Sequence, residues 1–266
     1  MVCSVEKFSW HSAMQLALPK EHGSWSLALE PVAFGLLVAP SAAGAGLALA
    51  AVSGFFLRRP MKLLLSRKND PRQLLALVCV TILTLLGLSG LLLAARLGSV
   101  GGLWPLVPAA VTGAIFAWCD GRNGAREGAA EVAGAVAFGI LPAAFGALAG
   151  CSMAASLALA AMMLVRSVPT VLTVRTCLRL AKGKHFSATP SVVAVVTGIV
   201  LMAWLAAQHL APWIATIFAV IFAVRTMWLL LWRPQITARK IGLTEAVLGG
   251  LMVLILSLTW KGAAGW

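Results

Sequence analysis

Gln73 to Ala95 reads QLLALVCVTILTLLGLSGLLLAA, with no charged residue between Arg72 and Arg96. About 20 apolar residues in a helix cross a hydrocarbon core of about 30 Å, so this stretch is a membrane span. Other stretches read the same way, roughly Ser24–Pro40, Gly44–Leu57, Gly102–Trp118, Ala129–Ala149, Ser152–Thr173, Ser191–Gln208, Pro212–Leu231 and Ile241–Trp260. The expected fold class is therefore an all-α integral membrane protein, a bundle of about nine transmembrane helices. Residues 1–23 are expected as a cytoplasmic N-terminal segment, 24–260 as a single transmembrane domain and 261–266 as a periplasmic tail. Phe8, Trp10, Met14, Leu16 and Leu18 suit an interfacial helix, and Met14 is equally suited as a start.

The charges fall on one side of this alternation. Of the Lys and Arg residues between spans, 17 lie in gaps on one side, and only Arg96 and Lys261 on the other. Lys and Arg near span ends are retained in the cytoplasm, which predicts a bacterial inner-membrane protein with its N-terminus inside and C-terminus outside. A chain that is 61% hydrophobic and 11% charged has too little polar surface for a water-soluble domain. The net charge of +13 does not indicate nucleic acid, because the cations sit in short loops where topology and anionic headgroups account for them. The expected partners are membrane lipids, with no nucleic acid and no cofactor, and the oligomeric state stays open. Five scattered cysteines form neither a CxxC motif nor a Cys/His spacing and read as small apolar residues.

Ionisable residues inside the spans carry the functional content. Glu30, Glu131, Arg166, Arg225 and Glu245 all fall in the cytoplasmic half, where an unpaired charge costs several kcal/mol. Two arrangements satisfy them: one polar cavity open to the cytoplasm, or structural ion pairs of Glu30 or Glu245 with Arg166 or Arg225. Arg175, Arg179 and Lys182 make a cationic stripe at helical spacing, just after hydroxyls at Ser167, Thr170, Thr173 and Thr176. Arg58, Arg59 and Lys62 cluster at the end of the second span. Guanidinium forks and hydroxyls suit phosphate oxygens. The candidate ligand-binding residues are thus Glu30, Arg58, Arg59, Lys62, Arg166, Thr170, Arg175, Arg179 and Arg225, with Glu131 and Glu245 in the polar cavity. Glu127 and Glu131 have the spacing of a Mg²⁺ pair, but acids in a first helical turn are favoured by the helix dipole alone, so no metal is expected. Gly46, Ala50 and Gly54, like Gly146 and Gly150, form small-residue faces for close helix packing. Pro142 and Pro169 interrupt two spans.

Pro19-Lys20-Glu21-His22-Gly23-Ser24-Trp25, leading straight into the first span, resembles the signature of the YwiC-like bacterial membrane proteins; Lys20, Glu21, His22 and Gly23 are its polar core. Arg58-Arg59-Pro60, Glu131-x-x-Gly134 and the Arg166…Arg175 helix are similar to that family too. A weaker resemblance is to the UbiA-type intramembrane prenyltransferases. It rests on the helix count, the orientation, the polar clusters ending the second and sixth spans, and the fifth span after a basic loop. It implies a UbiA-like bundle handling an isoprenoid. Those enzymes carry aspartate-rich, Mg²⁺-holding motifs where this chain has Arg58-Arg59-Pro60-Met61-Lys62 and Arg166 to Arg175. The leading expectation is a cytoplasm-facing basic cavity that binds an anionic amphipathic lipid, such as an isoprenoid phosphate, with or without chemistry. The rivals are a carrier of a small anion and a non-catalytic membrane assembly partner. A carrier should show polar residues deep in the outer half, and this chain shows none.

Overall fold

The computed structural model describes residues 22–65, 71–122, 128–181, 183, 186–232 and 238–260, and the described residues form helices and turns without a strand. In chain order the helices are α1 (His22–Val38), α2 (Ala42–Leu65), α3 (Gln73–Leu97), a 3₁₀ turn (Val100–Leu103), α4 (Leu106–Gly121), α5 (Gly128–Gly139), α6 (Leu141–Leu148), α7 (Met153–Ala181), α8 (Thr189–Ala207), α9 (Trp213–Trp232) and α10 (Ala238–Thr259). Among the described residues, seven segments are long and apolar enough to cross a membrane: α3, the 3₁₀ turn with α4, α5 with α6, and α7 through α10. Trp25–Val38 of α1 is a shorter apolar helix. The chain is an all-α integral membrane protein.

Helix occupies every expected span, with two differences of extent. The span expected at Ala129–Ala149 is broken at Ile140 into α5 and α6, because Pro142 lacks the N–H that would continue the ladder. Pro169, in contrast, lies inside an unbroken α7. Both α2 and α7 run well past the last apolar residue of their spans, carrying Arg58, Arg59 and Lys62, and Arg175 and Arg179, as continuing helix. Long cationic side chains at headgroup level keep their charge in water while their stems lie on the helix.

The bundle is organised around α1 and α7. Helix α1 packs on α10, α6, α5 and α2, while α7 packs on α5, α6, α8 and α9. Helix α3 sits at the edge, packed mainly on α2, with Leu74, Leu85 and Leu92 exposed, as a lipid-facing surface would be. The α2–α3 contact is backbone on backbone. A Cβ at Gly46 would lie 2.7 Å from the Gly90 carbonyl oxygen and 2.9 Å from the Ala94 nitrogen, and one at Gly90 would lie 2.8 Å from the Ala50 nitrogen. Two small-xxx-small faces thus interlock, as the Gly46–Ala50 repeat predicts. The stripe ends there, since nothing lies within 4 Å of a Cβ at Gly54.

Apolar packing fills the rest. One buried cluster joins Phe34, Leu159, Met163, Met202, Phe218, Phe222 and Leu256, and a second joins Val32, Leu47, Leu141 and Phe145. The Phe145 ring lies against Gly35 and Gly44, where no side chain blocks it. Two pairs of consecutive spans do not pack closely: α3 and α4 barely touch, and α10 lies along α1 and touches α9 only slightly.

Candidate functional site

Arg166 of α7 is 1% exposed and sits at the centre of a network drawn from four helices. Its Nη2 lies 3.1 Å from Glu30 Oε2 of α1 and donates to the Glu245 backbone carbonyl at 2.9 Å. Its Nη1 donates to Thr170 Oγ1 at 2.9 Å and lies 3.4 Å from Glu245 Oε2 of α10. Thr170 in turn donates to Glu245 Oε2 at 3.1 Å, and Arg225 of α9 pairs with Glu245 Oε1. The Phe222 ring covers the Arg166 guanidinium at 5.3 Å.

Local helical geometry delivers each of these groups. Arg166 and Thr170 are four residues apart on α7 and share a face, as Glu245 and Gly249 do on α10. Gly249 matters because the Glu30 carboxylate occupies the space where its Cβ would stand. Two guanidiniums and two carboxylates balance to zero net charge, which is how an ionic group is tolerated at this depth. The charges form a packed network, not the lining of an open basin.

Glu131 does not join it. Glu131 Oε2 takes Arg175 Nη1 at 2.8 Å, and that guanidinium lies over Gly128 and, with Arg179, beside the Phe186 ring. The sequence reading grouped Glu131 with the core arginines, but Arg175 is nine residues beyond Arg166, about 13 Å along the helix, and meets the first turn of α5 instead. The hydroxyl stripe is also largely internal. Ser167, Thr173 and Thr176 donate back to the carbonyls of Met163, Pro169 and Leu172 at 2.7–2.9 Å, leaving Thr170 to serve the network.

A third cluster holds the α2 cations. Asp120, at the end of α4, accepts Arg58 Nε at 3.0 Å and Lys62 Nζ at 2.9 Å, with the Phe116 ring 4.7 Å from the Arg58 guanidinium. Asp120 was not among the candidate residues. Its signal was its isolation, a lone carboxylate just past Trp118 on the cation-rich side. Arg59 is half-buried on the same turn. Lys20, Glu21, Glu127 and Lys182, and the side chain of His22, lie outside the described residues, while Gly23 is placed in the first turn of α1.

Among the described residues, the network reaches an open wall at Arg225. Where α9 and α10 diverge, a cavity of about 250 Å³ is lined by Arg225, Trp228, Leu229, Ile241, Thr244 and Leu248. Its walls are apolar except for Arg225 and the Thr244 hydroxyl, and Arg225 stands seven residues, roughly 10 Å, above the end of α9. Glu245 backs the guanidinium from the protein interior.

An all-helical bundle with lipid-facing apolar helices and charge-balanced polar groups inside it defines a multi-pass membrane protein. Residues 18–145 match the YwiC-like protein family, a stretch that runs from the Lys20–Gly23 motif to Phe145 in α6 and includes Glu30, Arg58, Asp120 and Glu131. No curated protein and no solved structure matches the chain.

Proposed function

We propose that this protein lies in the bacterial cytoplasmic membrane, N-terminus inside and C-terminus outside, and binds an anionic amphipathic lipid from the inner leaflet between α9 and α10. An isoprenoid phosphate has the required chemistry, as a UbiA-like bundle would suggest. The cleft carries the reading: apolar walls from Trp228, Leu229, Ile241 and Leu248 meet a single guanidinium, Arg225, in the cytoplasmic half. A guanidinium takes phosphate oxygens in paired, charge-assisted hydrogen bonds, while the walls take hydrocarbon. Sequence pointed to Arg58, Arg59, Lys62, Arg166, Arg175, Arg179 and Arg225 for this role. Arg58, Lys62, Arg166, Arg175 and Arg225 are each engaged by a carboxylate, and of these Arg225 also lines the cleft, which favours it as the contact. Transport of a small anion finds less support, because the clusters of charge gather at one end of the bundle.

Farnesyl phosphate titrated into the protein in neutral-lipid nanodiscs tests the site by native mass spectrometry. Arg225→Gln is expected to weaken binding more than tenfold, since a charge-assisted hydrogen bond contributes about 1.5–3 kcal/mol. Lys184→Gln should change it little, because that cation falls between the expected spans Ser152–Thr173 and Ser191–Gln208, and EDTA should not reduce it. Leu248→Trp, which fills the cleft without touching a charge, should reproduce the loss. Equal losses from Arg225→Gln and Lys184→Gln would mean diffuse surface attraction and would end the proposal.

Orientation has its own measurement. A reporter fused after Trp266 is expected outside, and one inserted between Arg233 and Lys240 inside. A cytoplasmic C-terminus would overturn the orientation.

A further inference from the structure

The resting network holds two guanidiniums, Arg166 and Arg225, against two carboxylates, Glu30 and Glu245, and all four are mostly or fully withdrawn from solvent. Arg225 is the member that reaches the cleft, and Glu245 is its carboxylate partner among the described residues. A monoanion arriving at Arg225 would leave three negative charges against two positive ones. An excess charge at this depth costs several kcal/mol. Arg166 cannot absorb it, because its charge is already counted against the two carboxylates and its terminal nitrogens are held by Glu30, Thr170 and the Glu245 carbonyl.

We infer that binding of a monoanion at Arg225 takes up one proton onto the Glu245–Glu30 carboxylate pair. The inference rests on the cleft as the binding site. The step balances: Arg225 turns from Glu245 Oε1 to the anion, and a proton from cytoplasmic water or buffer forms an O–H bond at that oxygen. No electron transfer and no other bond change is involved. The geometry selects Glu245 as the receiving group. Its Oε2 keeps Arg166 and Thr170, while its Oε1 loses Arg225. Glu30 keeps Arg166. The groups facing Glu245 are Glu30 from α1, Arg166 and Thr170 from α7 and Arg225 from α9, with Cys177 of α7 near Arg225. Lys240, earlier on α10, is exposed and faces solvent. The site therefore takes the ligand as anion plus proton, and raising the pH weakens it.

The shared ligand chemistry is a monoanion, free or on a hydrocarbon chain. Decyl sulfonate and methanesulfonate separate the two sources, and neither titrates between pH 6 and pH 8, so any proton taken up belongs to the protein. Calorimetric titration of the full-length protein in uncharged detergent, in buffers of different ionisation enthalpy, counts that proton directly. Decyl sulfonate is expected to bind with uptake of about one proton and to lose about tenfold in affinity per pH unit wherever a full proton is taken up on binding. Methanesulfonate should bind far more weakly. Glu245→Gln leaves a resting network of net +1 that an anion neutralises, so its binding should be pH-independent, proton-free and tighter than wild type at pH 8. Glu30→Gln changes the charge count equally and gives the same test if Glu245→Gln does not fold. Wild-type binding without proton uptake, or variants that retain uptake, would overturn the coupling and leave the lipid site standing. Binding of neither sulfonate, or equal binding in Arg225→Gln, would overturn the cleft itself.

Discussion

Replacement of Arg166 by leucine will cost this protein about 3–5 kcal/mol of stability, the range for breaking a buried ion pair by removing one partner. The loss follows from what remains. Among the described residues Glu30 keeps no ion-pair partner and Glu245 keeps Arg225, so the network is left at net −1 deep in the bundle. The Glu245 carbonyl and the Thr170 hydroxyl lose a donor at the same time. Leucine supplies apolar bulk against Phe222 but nothing that answers a carboxylate. Reversible unfolding in mixed SDS micelles measures the loss. Adding Glu30→Gln to Arg166→Leu should return much of it, because the surviving Arg225–Glu245 pair is then neutral. A cost of the single substitution under about 1 kcal/mol would mean that water reaches these groups, and would remove the basis for a dry network.

Gly249→Ala is the second large effect, expected at about 2–3 kcal/mol although it adds one methyl group to a helix. Alanine normally favours a helix over glycine by about 0.8–1 kcal/mol, so the predicted sign opposes intrinsic propensity. The new Cβ would occupy the position of the Glu30 carboxylate. A carboxylate at the end of a flexible chain can swing aside, but here moving it breaks its contact with Arg166. The cost therefore falls short of deleting a partner and should vanish when Glu30 is already absent. A double-mutant cycle with Glu30→Ala is expected to show a coupling of about 2 kcal/mol, within the roughly 0.5–3 kcal/mol seen for residues in contact. Gly250→Ala is the control: nothing lies within 4 Å of a Cβ there, so it should be neutral or stabilising. Additive losses at Gly249 and Glu30 would show that the glycine serves helix packing alone.

Fold class could be read in the chain because the signal is local. A run such as Gln73–Ala95 must become a helix in lipid, since each backbone group finds its partner four residues away. The break before Pro142 and the close α2–α3 approach at Gly46 and Ala50 were legible for the same reason, one from a missing N–H and the other from a repeat of small residues. The depth of Glu30, Arg166, Arg225 and Glu245 could also be counted along their helices at 1.5 Å per residue. Sequence left open whether these charges line a basin or pair with one another.

Pairing was decided by the tertiary structure, because it depends on which helix faces lie against each other. Glu30 and Arg166 are separated by 136 residues, and Arg166 and Glu245 by 79. Nothing in the local pattern of α7 says that α1 and α10 will supply its counter-ions, that Glu131 will take Arg175, or that Asp120 will claim Arg58 and Lys62. The same holds for the cleft. Consecutive helices are expected to pack, and α9 and α10 part because α10 settles along α1, where Gly249 makes room for Glu30. Composition and helical period determined that this chain spans a membrane and buries charge in its cytoplasmic half. Only the packing of faces distant in sequence determined which charges cancel and that Arg225, paired with Glu245, also lines an open wall.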